Sequence, residues 1–248
     1  MGAEAEVRER ARAVADDYQR MYGRDLVSVI VYGSALTRDY VPGKSDLNLL
    51  VVLSEDGIHN LNLAHTLVAK WHKKRVGTPL FLTRRYIDSS LDTFPIEFLN
   101  IKQNYLVIQG EDVLAGLAFE KEFVRTQCER EIKGKLLVLR KRYVETGGKG
   151  RVLKDLIAAS LPTFIFIFKA LLFLLDEEVP AIKLATISAL VRRIGLDEGL
   201  FRDLLAISGG TLKPAARELD ERFRRYVKEI DRLASLMDSR EFLTGKIP

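Results

Sequence analysis

The sequence predicts an α/β (α+β) chain, a mixed sheet with helices followed by an all-α helical bundle, and three observations carry that prediction. Up to about residue 115, short β-branched runs alternate with helical stretches. Beyond that point nearly every segment has the periodicity of a helix. The charge changes in the same place: residues 1–115 carry 14 Lys and Arg against 15 Asp and Glu, residues 116–248 carry 25 against 19, and so the net charge of +5 lies in the second part. The expected domains are therefore 1–115, holding the sheet, and 116–248, the helical bundle. At 248 residues and 47% hydrophobic, the chain has enough apolar surface to give each a core.

Taken in order, residues 3–22 read as an amphipathic, highly charged helix that Gly23 ends. Residues 26–32 (LVSVIVY) are a β-rich run that stops at Gly33-Ser34. A polar loop with Pro42-Gly43 follows, and residues 46–53 (DLNLLVVL) resume as a strand. Residues 58–75 read as helix and 78–83 as strand. Residues 95–101 (PIEFLNI) read as a further strand, with Pro95 at its first position, where a missing N–H is tolerated. Residues 119–144 form one long helix closed by Gly147-Gly148, and an apolar helix then runs to about residue 175. Residues 180–194 have Pro180 near the start and Gly195 just past the end, the usual asymmetry of a helix. In the last helix Ala216, Leu219, Phe223, Tyr226, Ile230, Leu233 and Met237 recur at three and four spacing, the seam of an antiparallel bundle.

Composition excludes several classes. Cys128 is the only cysteine, which removes any intrachain disulfide or cysteine metal cage and points to a reducing cytoplasm. The first dozen residues are rich in Glu and Arg and lack the apolar stretch of a secretory signal. Residues 156–175 are apolar and long enough to cross a bilayer. Lys169 lies well inside them, however, at a cost of roughly 2.5 to 3.5 kcal/mol on insertion scales, and Ser160, Pro162 and Thr163 interrupt the run. A central bundle helix is the expectation, and no membrane. The basic residues are mixed with acids and form no single stripe, which argues against nucleic acid as a partner.

Asp46 and Asn48 lie two apart on an expected strand and so point to one face. Paired oxygen-bearing side chains suit Mg²⁺, which shares such ligands with substrate phosphates. Gly33 lets the backbone approach a phosphate, and the Ser34 hydroxyl and nearby N–H groups can bond its oxygens. Glu97 brings a third oxygen-bearing side chain, a second carboxylate, to the same spot if its strand lies beside the one carrying Asp46. Two-metal phosphoryl chemistry needs such an arrangement, with two cations roughly 3.5 to 4 Å apart.

Tyr32-Gly33-Ser34, the loop of about ten residues, Ser45-Asp46-Leu47-Asn48-Leu49-Leu50-Val51 and Ile96-Glu97-Phe98 together resemble the DNA polymerase β-like nucleotidyltransferases. Gly110-Glu111-Asp112 and the helical bundle behind it resemble the bacterial aminoglycoside nucleotidyltransferases. The motif match covers residues 26–112; the rest is a likeness of architecture. The resemblance implies transfer of a nucleoside monophosphate from a triphosphate, ATP being the expected one, to a hydroxyl of a small molecule or protein, with Mg²⁺ or Mn²⁺. It implies that Gly33, Ser34, Lys44, Ser45 and Lys133 bind the nucleotide, that Asp46, Asn48 and Glu97 hold metal, and that Asp46 and Glu97 are catalytic. At residue 48 the family has a second aspartate, and here Asn48 supplies a neutral oxygen in place of a charge, which weakens metal binding and catalysis. The alternative is a degenerate relative that binds nucleotide or a partner without transferring anything.

Other residues have plainer readings. Arg130, Lys133 and Lys135 on the long helix read first as a solvated face, and by the resemblance as cations that reach the triphosphate. His59, His65 and His72 lack the i, i+4 spacing of a helical metal pair. Trp71 with Lys73, Lys74 and Arg75 can stack on a nucleic-acid base, but cations at a helix's negative end explain it better. Lys169 needs a carboxylate partner or an open cleft.

Overall fold

The computed structural model describes residues 3–239. It divides into two compact units, Met1–Glu120 and Lys121–Pro248, each with its own core.

The first unit is built on a four-stranded mixed sheet in the order β3-β2-β1-β4. Strand β1 (Leu26–Tyr32) pairs antiparallel with both β2 (Asn48–Leu53) and β4 (Tyr105–Gly110), while β3 (Leu80–Thr83) runs parallel to β2. The two central strands are apolar on both sides, so each face must be covered. Helix α1 (Ala3–Tyr22), a 3-10 segment Gly57–Ala64 and helix α2 (His65–His72) cover one face, over Val29, Val31, Leu49, Val51 and Leu53. Helices α3 (Arg84–Ser89) and α4 (Pro95–Gln103), with Val113, Leu114 and Leu117, cover the other, over Ile30, Leu50 and Val52. At the end of β4, Gly110 takes φ +85, and a Cβ there would lie 2.0 Å from the Val27 carbonyl oxygen, so only glycine lets this edge close on β1.

Several elements differ from the sequence expectation. The expected strand at 95–101 is helix α4, and the fourth strand is instead Tyr105–Gly110. Pro95 sits in the first helical turn, where its missing N–H costs nothing, and Glu97 in that turn suits the positive end of the helix. Ile96, Phe98, Leu99 and Ile101 are all buried, a spacing that fits a helix between sheet and loop better than one strand face. The expected helix at 58–75 breaks at Asn60, whose φ −108 and ψ 33 are not helical. Strand β2 begins at Asn48 and not at Asp46, although Leu47 bridges to Val76.

Asp17 fastens α1 to α2. It accepts the Trp71 indole N–H at 2.9 Å and further bonds from Lys70 and Arg20, and both Asp17 and Trp71 are buried. Lys70 and Lys74 stand 5.0 and 4.9 Å from the centre of the Trp71 ring. The ring is therefore a core anchor and not a free platform for a base.

The second unit is all helix: α5 (Lys121–Glu145), α6 (Gly150–Leu174), α7 (Lys183–Ile194), α8 (Glu198–Gly209) and α9 (Ala216–Asp238). Helix α6 packs against the other four. It is the one helix among the described residues long and apolar enough to cross a bilayer, and 56% of its apolar window is buried within the bundle. Phe164 and Phe168 of α6 meet Phe201 and Tyr226 edge-on, where the ring quadrupoles are best satisfied. Every residue of the α9 seam from Leu219 to Met237 is buried, while Ala216 is exposed. Helix α8 has no counterpart among the expected elements; Gly195 ends α7 at φ +69, and the Asp197 carboxylate starts α8 by accepting the Leu200 N–H at 2.9 Å.

Burial raises the Asp17 carboxyl, but the hydrogen bonds from Lys70, Trp71 and Arg20 outweigh it and hold the group below its ordinary value of 3.8. A carboxylate depressed in the folded state contributes stability above its unfolded value and loses it as pH falls through the folded one. Asp17→Ala, which leaves the indole N–H unpaired, is expected to cost about 1 to 3 kcal/mol at pH 7 in urea unfolding. The difference from the natural protein should shrink below about pH 4; a difference unchanged at pH 3 would remove Asp17 as its source.

Candidate functional site

Strand β1 ends at Tyr32, and Gly33 opens a 3-10 turn, Gly33–Leu36, at φ +83. Tyr32 lies opposite Asn48 in the β1–β2 register, so the turn and the start of β2 stand side by side. The Gly33 N–H is already bonded to the Asn104 carbonyl at 2.9 Å, and the Ser34 carbonyl accepts from both the N–H and the hydroxyl of Thr37. The Ser34 side chain makes no hydrogen bond among the described residues and is half-buried. In the loop, Lys44 is exposed, and Ser45 Oγ accepts the Val41 N–H at 3.1 Å, which closes the loop on itself.

The segments at 46–48 and 75–77 are zipped together. The Leu47 N–H donates to the Arg75 carbonyl at 2.9 Å, and the Gly77 N–H donates to the Leu47 carbonyl at 3.0 Å. Leu47 is fully buried in the same core as α1 and α2, so Asn48, the next residue, belongs to the opposite face, and Asp46 lies just before the strand. Asp46 is exposed, and its Oδ1 lies 3.6 Å from Arg75 Nη1. Arg75 has φ +60, a left-handed conformation rare for a residue with a side chain. The Asn48 amide sits between two glycines: its Nδ2 is 3.5 Å from where a Cβ of Gly33 would be, and its Oδ1 is 3.5 Å from the same point on Gly77.

Glu97 lies in the first turn of α4 and not on a strand. That helix touches the Gly33–Leu36 turn and packs on the sheet face to which Asn48 belongs, the face of Leu50 and Val52. Among the described residues no group of three or more His, Cys, Asp or Glu could hold a metal. Asp46, Asn48 and Glu97 offer two carboxylates and an amide. That donor set does not fit a two-metal centre, which needs a further negative charge. By their chemistry alone such groups would suit at most one Mg²⁺, an ion commonly held by one or two carboxylates and completed by phosphate oxygens and water.

In the helical unit Lys133 bonds Asp238 at 2.6 Å and Glu129 at 2.8 Å, and the two carboxylates push its ammonium above its ordinary value. Its charge is thus matched within the bundle. Lys135 pairs with Glu131 at 3.0 Å, whereas Arg130 has no ion-pair partner among the described residues. His59, His65 and His72 are exposed, and Lys169 is half-buried. Sequence reasoning assigned Arg75 to a helix end and passed over Gly77 and Asn104. The only local signal was a glycine two residues after a basic run.

No protein-family model and no curated protein matches the chain. One solved structure similar to it is the spectinomycin adenyltransferase AAD(9) from Enterococcus faecialis with ATP and spectinomycin. The TM-score is 0.54 at 13% identity, over 90% of this chain and 98% of that one. The fold is nucleotidyltransferase-like, a mixed sheet domain followed by a helical one.

Gly33→Ala should cost about 1 to 2 kcal/mol, because a Cβ at φ +83 strains its own backbone, while the nearest neighbour, Asn48 Nδ2, leaves it room. Urea unfolding checks this, and an unchanged midpoint would show that residue 33 does not need the left-handed conformation.

Proposed function

We propose that the chain binds a nucleoside triphosphate at the Gly33–Leu36 turn and transfers its nucleoside monophosphate to a hydroxyl of a small molecule. The observation that carries this reading is the Tyr32–Asn48 register, which sets the Gly33-Ser34 turn beside Asp46 and Asn48. Support for ATP and for a small-molecule acceptor comes from the spectinomycin adenyltransferase of similar fold, whose structure holds both kinds of ligand. The acceptor oxygen attacks the α-phosphorus, the bond from that phosphorus to the bridging oxygen breaks, and pyrophosphate leaves. Ser34 Oγ donates to the triphosphate, with Lys44 and Ser45 the further candidates for that role, and Glu97 takes the acceptor's proton. Asp46 holds the Mg²⁺ that travels with the triphosphate, an ion that neutralises phosphate charge when bound.

A second reading, nucleotide binding without transfer, is favoured by one specific observation. Asn48 stands where a second carboxylate would strengthen the metal site, and Asp46 is already engaged by Arg75. Single-turnover release of pyrophosphate from ATP, measured across Mg²⁺ and Mn²⁺ titrations, separates the two. We expect slow release by the natural protein and a gain of about tenfold or more in Asn48→Asp, equivalent to about 1.4 kcal/mol of barrier. Fast release by the natural protein with no gain in the variant would make Asn48 an adequate ligand. ATP bound with no release by either protein would establish the second reading.

Gly33→Val tests the cradle itself. It should abolish ATP binding while the helical unit keeps its circular-dichroism signal, and undiminished affinity would place the nucleotide elsewhere.

A further inference from the structure

Residue 48 does more than withhold a charge. A carboxylate in its place could only accept hydrogen bonds, whereas the amide has N–H donors, and Nδ2 is the end turned toward the Gly33 turn. The same turn offers the Ser34 hydroxyl, uncommitted among the described residues. Arg75 adds a guanidinium beside Asp46. At 3.6 Å, with both side chains more than half exposed, the pair is loose enough to exchange partners. A guanidinium presents a planar fork of donors that matches phosphate oxygens two at a time.

The backbone of Arg75 supports a role beyond ending a helix. It is one of two non-glycine residues with positive φ among the described residues. The bonds from Leu47 to its carbonyl and from Gly77 back to Leu47 hold it there. Strained backbone that its surroundings enforce concentrates at ligand sites. The fixed charges also oppose an anion less than a second aspartate would. Asp46 and Arg75 cancel and Asn48 is neutral, whereas two aspartates alone would repel a polyphosphate until metal arrived.

We propose that Asn48 Nδ2, Arg75 and Ser34 Oγ bind the nucleotide's polyphosphate directly, in the charge-neutralising place of a second divalent cation. This rests on the nucleotide-binding reading above. Nucleotide affinity then depends little on divalent ions, and Arg75 leaves Asp46 for the phosphates when nucleotide binds.

The test titrates ATP calorimetrically into the full chain in EDTA and in excess Mg²⁺, and Mn²⁺ alone by electron paramagnetic resonance, for the natural protein, Arg75→Gln and Asn48→Asp. The natural protein should bind ATP in EDTA within about tenfold of its affinity in Mg²⁺. Arg75→Gln should lose about tenfold in EDTA and less in Mg²⁺, and should bind Mn²⁺ more tightly because Asp46 is released. Asn48→Asp should also bind Mn²⁺ more tightly and ATP in EDTA more weakly. Arg75→Lys, which keeps the charge without the fork, should fall between Arg75→Gln and the natural protein. ATP binding that needs Mg²⁺, or EDTA affinity unchanged in both Arg75→Gln and Asn48→Asp, overturns the inference and leaves the nucleotide reading standing. ATP bound under neither condition overturns both. Residue 75 is exposed, so circular dichroism of Arg75→Gln should match the natural protein.

Discussion

The antiparallel register between β1 and β2 is the constraint on which the candidate site depends. Side chains alternate across a strand, so a slip of one residue would carry Asn48 to the other face and force the side chains of residues 47–53 to exchange cores. Six apolar side chains in residues 47–53 are essentially inaccessible, and that burial fixes the register far more firmly than any polar contact at the site could. The Gly33-Ser34 turn and the Asp46–Asn48 segment are neighbours because the hydrophobic core permits no other alignment.

What surrounds that register explains how a polar site persists at the end of an apolar sheet. Arg75 and Gly77 extend the parallel edge by backbone bonds to Leu47, so the polar segment around Asp46 is tied at the backbone while its side chains remain in water. Helix α2 leads directly into that segment and is itself held by the Trp71–Asp17 bond. The rigidity that Arg75 needs in order to keep its left-handed backbone thus derives from a buried carboxylate on α1. On the opposite face, α4 brings Glu97 in its first turn, where a helix's positive end favours a carboxylate.

The helical unit follows a different rule. Its central helix α6 is apolar around most of its circumference because four neighbours cover it. The polar atoms it carries are met locally: the Ser160 carbonyl accepts the Thr163 hydroxyl, and Ser160 Oγ accepts the buried Tyr226 hydroxyl. The basic residues that stand out in the sequence are largely matched on their own helices, as Lys133 with Glu129 and Lys135 with Glu131 show. A count of positive charge along the chain overstates how much is available to a ligand.

Elements whose signal is local are legible in the sequence. The run LVSVIVY, the helices at 3–22 and 216–238, the glycine that ends α7 and the Gly33-Ser34 turn could all be read because period, propensity and capping act within a few residues. The sequence also shows that residue 48 is an amide and hence that the site lacks a charge. That PIEFLNIKQ is a helix and YLVIQG the strand depends on packing across the sheet. Both are short apolar runs, and the choice turns on which one finds an open edge of β1. The placement of Glu97 on a helix, the pairing of Arg75 with Asp46 and the seating of the Asn48 amide between Gly33 and Gly77 likewise required the fold. The last two join residues 15 or more apart in the chain, and the register that joins them is set by burial summed over the whole sheet, which no local window contains.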